Sequence, residues 1–302
     1  MITILALLTD VLLQEALSME ILTRLEATPS LFNHPAVFYG GSVNGAMSNV
    51  KKVTISGWGA DAFAPVDEGD DVDATDVNHN SVLVEVGRLS LRRDWTALSQ
   101  MVYASREALI NAVATDVVGG AINAFNALIA TTGASFTTTV GTTGTVLTIA
   151  KFNAAKGTLT TAGAKGPYVA ILHGRQYTDL STELLSATGV IQWIPATVEL
   201  IQAKGPGYVG TLLGVDVYVD NSVPLANSGA DRAGCMFSTG GIVYADGIDI
   251  TAQAVQDLPN GTKVTWSAKH DNVSAKTSFV GDMYVGAEVG EQARGVRVLS
   301  DA

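Results

Sequence analysis

Carboxylates are the most concentrated chemistry-bearing side chains of this sequence. The segment from Asp61 to His79 contains seven of them and no lysine or arginine: Asp61, Asp67, Glu68, Asp70, Asp71, Asp73 and Asp76. Oxygen ligands of this kind are what calcium prefers, but an EF-hand loop counted from Asp67 or Asp71 lacks both the glycine at position six and the glutamate at position twelve. Because unpaired charges are costly to bury, we interpret the segment as a solvated loop tip.

The other reactive side chains form no recognisable catalytic or metal-binding motif. The four histidines are scattered without metal-ligand spacing; they are His34, His79, His173 and His270. The single cysteine, Cys235, lies in an apolar stretch, which is typical of a buried core residue. The sequence has no nucleophile elbow, phosphate-binding loop or dinucleotide fingerprint. We therefore predict no catalytic residue, no metal ligand and no cofactor.

Composition excludes several classes of protein. With 302 residues, of which 47% are hydrophobic, the chain can bury a sizeable core. Its 29 acidic and 18 basic residues give a formal charge of -11, which disfavours gripping nucleic-acid phosphates but is compatible with a container for DNA. The apolar start of the chain lacks a basic n-region, and no run of 18 apolar residues could span a membrane. One cysteine allows no intramolecular disulfide and fits a reducing compartment such as a bacterial cytoplasm.

The hydrophobic pattern predicts a succession of extended elements. Apolar residues at helical spacing between Asp10 and Pro29 predict an amphipathic helix, whose partner is either the chain's own core or a neighbouring subunit. Residues 50–94 predict a long hairpin with a bulge at Gly87. A long helix is expected from an N-cap at Asp94 to about Thr131, with a kink or close contact at Gly119 and Gly120.

The second half of the chain predicts a compact α/β unit and long strands. After the long helix we expect a pair of short strands within residues 135–149 and a helix around residues 151–159. Strands and helices then alternate through residues 165–247. The chain ends in strands at residues 248–257, 262–270, 277–289 and 295–299, with Asn260 and Gly261 predicting a hairpin turn between the first two.

The stretch from Lys165 to Pro224 carries a family resemblance. It contains a buried strand that ends in a turn (Tyr168-Val-Ala-Ile-Leu-His-Gly), a polar helix start at Tyr177-Thr-Asp-Leu, and then Gly214-Val-Asp-Val-Tyr-Val-Asp-Asn-Ser-Val-Pro224. In its sequence and in the order of its elements, the chain resembles the major capsid proteins of tailed bacteriophages, the Hong Kong ninety-seven type. The resemblance covers essentially the whole chain, and Gly281-Asp-Met-Tyr-Val-Gly-Ala-Glu-Val near its end also fits it.

The resemblance implies an α+β fold with four parts. Residues 1–49 would form an N-terminal arm, and residues 50–94 the hairpin that this family calls the E-loop. Residues 95–160 and 248–279 would form the P-domain, with its spine helix and long strands. Residues 161–247 and 280–302 would form the A-domain, which in this family gathers around fivefold and sixfold axes.

The implied function is self-assembly. Many copies would form the pentamers and hexamers of an icosahedral head that encloses double-stranded phage DNA without sequence-specific binding, so the protein would belong to the virion and assemble in the host bacterial cytoplasm. Expected partners are other copies, a separate scaffolding protein, a portal and decoration proteins, with no membrane. An isopeptide bond from a lysine of the E-loop to an asparagine of another subunit is not expected, because residues 53–150 contain no lysine.

Candidate contacts between subunits follow from the same resemblance. Trp58 and Phe63 would touch the adjacent subunit from the E-loop. The tip carboxylates Asp70, Asp71 and Asp73 would meet arginines of another copy, namely Arg88, Arg92 or Arg93, or a divalent ion between capsomers. An encapsulin-like nanocompartment shell remains an alternative, since it shares the fold. A cytosolic hydrolase built on residues 165–247 is the alternative of another class, although the sequence names no nucleophile for it.

Overall fold

In the computed structural model the described residues are 31, 34–43, 50–56, 79–96, 106–186, 192–247, 254–257, 263–271 and 276–302. They form an α+β structure in which two sheets share a long helix. The described helices are α1 (Arg106–Gly133), α2 (Ile149–Thr161), α3 (Gly174–Ser186) and α4 (Val198–Lys204).

The first sheet has six strands, in the order β1-β12-β15-β14-β13, with β4 also paired to β15. Its strands are β1 (Val37–Val43), β4 (Gly87–Thr96), β12 (Ile242–Gly247), β13 (Ala254–Asp257), β14 (Lys263–Asp271) and β15 (Lys276–Val289). Strands β13 and β14 are an antiparallel pair, with Asp257 opposite Lys263, which confirms the predicted hairpin. The predicted turn residues Asn260 and Gly261 lie outside the described residues.

The second sheet has eight strands, in the order β5-β16-β11-β6-β9-β8-β7, with β10 also paired to β11. Its strands are β5 (Thr139–Val140), β6 (Tyr168–Leu172), β7 (Trp193–Pro195), β8 (Tyr208–Leu212), β9 (Val215–Val219), β10 (Leu225–Ala226), β11 (Asp231–Ser238) and β16 (Gly295–Asp301). Strand β16 lies between β5 and β11, so the last strand joins this sheet as expected.

The predicted hairpin divides between two sheets. Strand β2 (Val50–Ser56) pairs with β3 (His79–Glu85) as a separate two-stranded ribbon. The chain leaves strand geometry at Val86 and re-enters it at Gly87 as β4, which pairs with β15. The irregularity predicted at Gly87 is therefore the point at which the return strand passes from the ribbon to the six-stranded sheet.

Two predictions about residues 94–149 are wrong. Asp94 is not a helix cap, because the sheet pairing of β4 with β15 continues to Thr96, and the described helix begins only at Arg106. Within residues 135–149 only Thr139–Val140 is a strand, since glycines with positive φ at 141 and 144 turn the chain instead. The predicted helix around residues 151–159 is confirmed as α2, capped by the Thr148 side chain.

The long helix α1 supplies the shared core. Its 28 residues span about 42 Å at roughly 1.5 Å per residue. Residues Asn111–Gly133 have a mean hydropathy of 1.4, so by length and composition alone this part could cross a membrane, but 44% of it is buried inside the protein. A Cβ at Gly120 would lie 3.0 Å from Leu91 of β4, so the predicted close contact is present there.

The main hydrophobic cluster draws on both sheets. It combines Phe125 and Ile129 of α1 with Ile171 of the eight-stranded sheet and with Tyr244 and Met283 of the six-stranded sheet. A second cluster covers the opposite face of the eight-stranded sheet, where α2 and α3 pack. Alternate residues of β6 enter the two clusters, as expected for a strand buried on both faces.

Candidate assembly surface

The three arginines predicted to contact another subunit all lie on β4, and each is held by an aspartate of its own chain. Arg88 donates two hydrogen bonds to Asp282 at 2.9 and 2.8 Å. Arg92 donates to Asp94 at 2.8 and 3.1 Å. The side chains of Arg88 and Arg92 are 55% and 65% exposed, so the pairs lie on an accessible face of the six-stranded sheet.

Arg93 points in the opposite direction from its neighbour Arg92, because successive strand residues face opposite sides. It pairs with Asp116 of α1, which ties β4 to the helix. The hydrogen bond from Arg93 and its charge lower the pKa of Asp116, although partial burial opposes the change. Hydrogen bonds from Arg92 and Ser278 likewise lower the pKa of Asp94. Exposed pairs of this kind contribute little to stability, so they can be exchanged for contacts with another molecule at little cost.

The other predicted contact residues are Trp58, Phe63, Asp70, Asp71 and Asp73, and all five lie outside the described residues. What the structure does describe is the base of the ribbon that carries them. Val53 of β2 and Val84 of β3 are buried against Val243 and Ala245 of β12. Leu83, on the opposite face of the ribbon, is 63% exposed. The ribbon is therefore anchored at its base and presents an apolar side chain outward.

A second apolar surface lies at the far edge of the eight-stranded sheet. Strand β7 ends the strand order there, and α4 follows it directly. Ile194 of β7 is 50% exposed, and Val198 and Ile201 of α4 are 71% and 41% exposed. Val198 and Ile201 are three residues apart and so share one face of the helix. Exposed large aliphatic residues that cluster in this way are typical of a surface that another molecule covers.

A polar cluster around Asp216 in β9 was not among the predictions from the sequence. The Asp216 carboxylate accepts hydrogen bonds from Lys204 at 2.5 Å, from Thr211 at 2.8 Å and from His34 Nε2 at 3.3 Å. Burial would raise the pKa of Asp216, but these hydrogen bonds and the charge of Lys204 outweigh it and lower the pKa to about 2. The cluster fastens the chain just before β1 to the eight-stranded sheet.

The geometry of this cluster argues for a structural role. His34 Nδ1 accepts a hydrogen bond from the backbone N–H of Ala36 at 3.1 Å, which leaves Nε2 as the nitrogen that donates to Asp216. Both ring nitrogens are thus engaged in hydrogen bonds within the protein. Among the described residues, no group of three or more histidine, cysteine or acidic side chains is placed to hold a metal ion.

Cys235 is equally unsuited to chemistry. It is fully buried in β11, and burial raises the pKa of its thiol to about 12. A buried thiol with so high a pKa is almost entirely protonated at neutral pH and is a poor nucleophile. The interpretation of Cys235 as a core residue is confirmed.

Comparison with known proteins gives a match in structure only. No family model matches the chain, and a search of curated proteins finds no significant match. A chain from the capsid of Ralstonia phage GP4 superimposes with a TM-score of 0.61 at 10% identity, covering 91% of this chain and 92% of that one. A chain from the acid-stable capsid of Helicobacter pylori bacteriophage KHP30 gives 0.56 at 10% identity, with 91% of both chains covered.

The same fold also occurs outside phages. A chain of the holo-SrpI encapsulin complex from Synechococcus elongatus PCC 7942 gives a TM-score of 0.54 at 12% identity, covering 86% of this chain and 84% of that one. At these identities the likeness establishes the fold. The chain has the α+β fold of tailed-phage capsids along nearly its whole length.

Proposed function

We propose that this chain is the major capsid protein of a tailed bacteriophage, which assembles from many copies into the icosahedral head around double-stranded DNA. The observation that carries the proposal is the match to the GP4 capsid chain over 91% of this chain and 92% of that one. A likeness that leaves neither chain with a large unmatched part argues for the same kind of building block.

The described surfaces support self-assembly. The ribbon β2–β3 extends from the body with Leu83 exposed, and the edge formed by β7 and α4 exposes Val198 and Ile201. Both surfaces become covered if the ribbon lies over one neighbouring copy and the edge meets another. We propose pentamers and hexamers as the intermediate units, with the edge of β7 and α4 facing their axis.

The finer assignments belong to the same proposal. Residues 50–94 act as the E-loop after the arm of residues 1–49. Residues 95–160 and 248–279 act as the P-domain, and residues 161–247 and 280–302 as the A-domain. In the structure β15 runs unbroken across the boundary at 279 and pairs with β12, so the six-stranded sheet also takes in residues 242–247 and 276–289.

The proposed contacts between copies are Trp58 and Phe63 with an adjacent subunit, and Asp70, Asp71 and Asp73 with Arg88, Arg92 or Arg93 of another copy. The intrachain aspartates that now hold these arginines would be exchanged for the tip carboxylates of a neighbour. The net charge of -11 is consistent with a wall that encloses DNA without adhering to it. A separate scaffolding protein, a portal and decoration proteins complete the proposed assembly, which takes place in the host cytoplasm and involves no catalysis and no cofactor.

The test is to measure particle mass by light scattering and to image the same fractions by electron microscopy, with and without a co-expressed scaffold. Shells of megadalton mass, or rings of five and six copies, support the proposal. A compact monomer or dimer in the presence of the scaffold contradicts it. Shells that form without any scaffold and capture a cytosolic enzyme as cargo would instead favour an encapsulin.

A pair of variants tests the proposed axis surface. Val198→Asp combined with Ile201→Asp removes exposed apolar side chains and should abolish rings and shells while the subunit stays folded, because neither residue is buried. Gln202→Glu adds negative charge to the same exposed helix without removing apolar surface, and should assemble normally. Normal shells from the double variant would show that α4 does not lie between copies.

A further inference from the structure

The six-stranded sheet and α1 enclose a mostly apolar groove of about 300 Å³, whose lining also includes Arg88, Ser90 and Asp282. The α1 side is formed by Val117, Gly120, Ala121 and Ala124, which recur every three or four residues and so make one stripe along the helix. Leu89, Leu91 and Met283 lie on the sheet side. Since the helix residues are small, the groove is open enough to accept aliphatic side chains from another segment.

The core continues from this groove to the N-terminal end of the described chain. Met283 lines the groove and is also buried in the main cluster, against which Leu89 packs. Leu31 is 1% exposed in that same cluster. Leu31 and Met283 therefore belong to one hydrophobic core, and this core reaches the groove at Met283.

The sequence before Leu31 contains a segment of matching chemistry. Leu13, Leu17, Ile21 and Leu25 are spaced four apart, which places them in one stripe if residues 10–25 are helical, as the apolar pattern predicts. Leu25 is six residues from Leu31, so the end of the stripe at Leu25 lies within about 21 Å of Leu31 of its own chain at roughly 3.5 Å per residue.

We propose that the groove between α1 and strands β4 and β15 is the docking site for residues 10–25 of the same chain. The stripe of Leu13, Leu17 and Ile21 packs on the small residues of α1, and the core cluster extends outward along the helix. The docking is a property of the single subunit and does not depend on shell formation. It can therefore be tested on unassembled protein, where a failure of the proposed function has no influence on the result.

Trypsin provides a direct readout, because Arg24 is the first lysine or arginine of the chain and the next is Lys51. Ala121→Glu places a charge in the groove and should raise the rate of cleavage after Arg24 about tenfold in unassembled subunits, equivalent to about 1.4 kcal/mol of docking free energy. Asn123→Glu adds the same charge on the exposed side of the same helix and should leave the rate unchanged. Equal cleavage rates for Ala121→Glu and Asn123→Glu, with both proteins folded by circular dichroism, would refute the docking site.

Disulfide trapping identifies the occupant and does not require a charged groove. Leu17→Cys combined with Ala121→Cys should form a disulfide within one chain, seen as a faster-migrating monomer on non-reducing gels. Glu15→Cys combined with Ala121→Cys should form no such disulfide, since Glu15 lies on the other side of the predicted helix. The buried Cys235 does not compete. Covalent dimers in dilute protein would show that the segment of a neighbouring copy occupies the groove. The absence of a disulfide would show that residues 10–25 do not dock there. Either result would overturn the proposal.

Discussion

Replacing Asp216 by asparagine tests the role of the polar cluster quantitatively. The substitution keeps the shape of the side chain but removes the charge that accepts hydrogen bonds from His34, Lys204 and Thr211. It also places an amide in contact with His34 Nε2, which is itself the donor. We therefore expect loss of the ion pair with Lys204 and a weaker attachment of the segment before β1.

The size of the effect follows from the pKa of Asp216. Its ordinary value is 3.8, and the folded chain lowers it to about 2. At about 1.4 kcal/mol per pKa unit, ionised Asp216 stabilises the folded subunit by about 2 kcal/mol at neutral pH. Because the folded pKa is depressed, this stability is present above about pH 4 and is lost as the pH falls toward 2.

The assay is urea unfolding of unassembled subunits, followed by tryptophan fluorescence at pH 7 and pH 3. Asp216→Asn should be about 2 kcal/mol less stable than the parent at pH 7, and the difference should fall to about half by pH 3, since Asp216 of the unfolded parent, with its ordinary pKa of 3.8, is then mostly protonated. The control is Asp220→Asn: the Asp220 side chain accepts a hydrogen bond from the backbone N–H of Ser222 at 2.7 Å, which an asparagine side chain can also accept. A difference between Asp216→Asn and the parent that is the same at both pH values would refute the reasoning.

Two further substitutions test the core. The fully buried Gln176 accepts a hydrogen bond from the backbone N–H of His173 and donates to the carbonyls of Arg232 and Val298. Gln176→Leu removes these three hydrogen bonds and should destabilise the subunit by about 3 kcal/mol or more. Gln202→Leu on the surface is the control. Gly295→Ala should destabilise the subunit by about 3 kcal/mol, because its Cβ would lie 1.9 Å from the Phe136 ring. Gly157→Ala, at an exposed position of α2 with open space around it, should stabilise the subunit by about 0.5–1 kcal/mol. Denaturation midpoints that do not move in opposite directions for these two variants would contradict the packing described.

Local patterns predicted most of the elements because each is encoded by neighbours in sequence. The alternation of Val82, Val84 and Val86 against Leu89 and Leu91 required a change of face near Gly87, and the structure changes sheets there. The same local reasoning failed at Asp94. An aspartate before an apolar run is a common helix cap, but β15 is 14 residues long and its pairing holds β4 in strand geometry to Thr96.

The Asp216 cluster was not predicted, and the reason differs from that at Asp94. His34 and Asp216 are 182 residues apart, and neither lies in a local sequence motif that would indicate the other as its partner. What the sequence did offer was an anomaly: Asp216 is a carboxylate inside the strand Val215–Val219, where an unpaired charge would be costly. Such a residue implies a partner, although only the fold shows that the partners are His34, Lys204 and Thr211.

The two sheets are joined in a way that limits how they can move against each other. Strands β11 and β16 of one sheet connect to β12 and β15 of the other through two short turns, which bond to each other through Gly290 N–H to Gly241 O at 2.8 Å and Glu291 N–H to Gly240 O at 3.1 Å. Arg294, only 4% exposed, donates to Thr239 O at 3.1 Å beneath this crossing.

Rotation of one sheet against the other would break these bonds and split a hydrophobic cluster to which both sheets contribute. The ribbon β2–β3 is held by far less, a small cluster at its base around Val53 and Val84. Because the energy needed to move an element rises with the buried contacts it must give up, the ribbon can adjust to different neighbours while the two sheets move as one body. In the proposed shell, a subunit built in this way would occupy non-identical positions by changing the angle of its ribbon while its core stays intact.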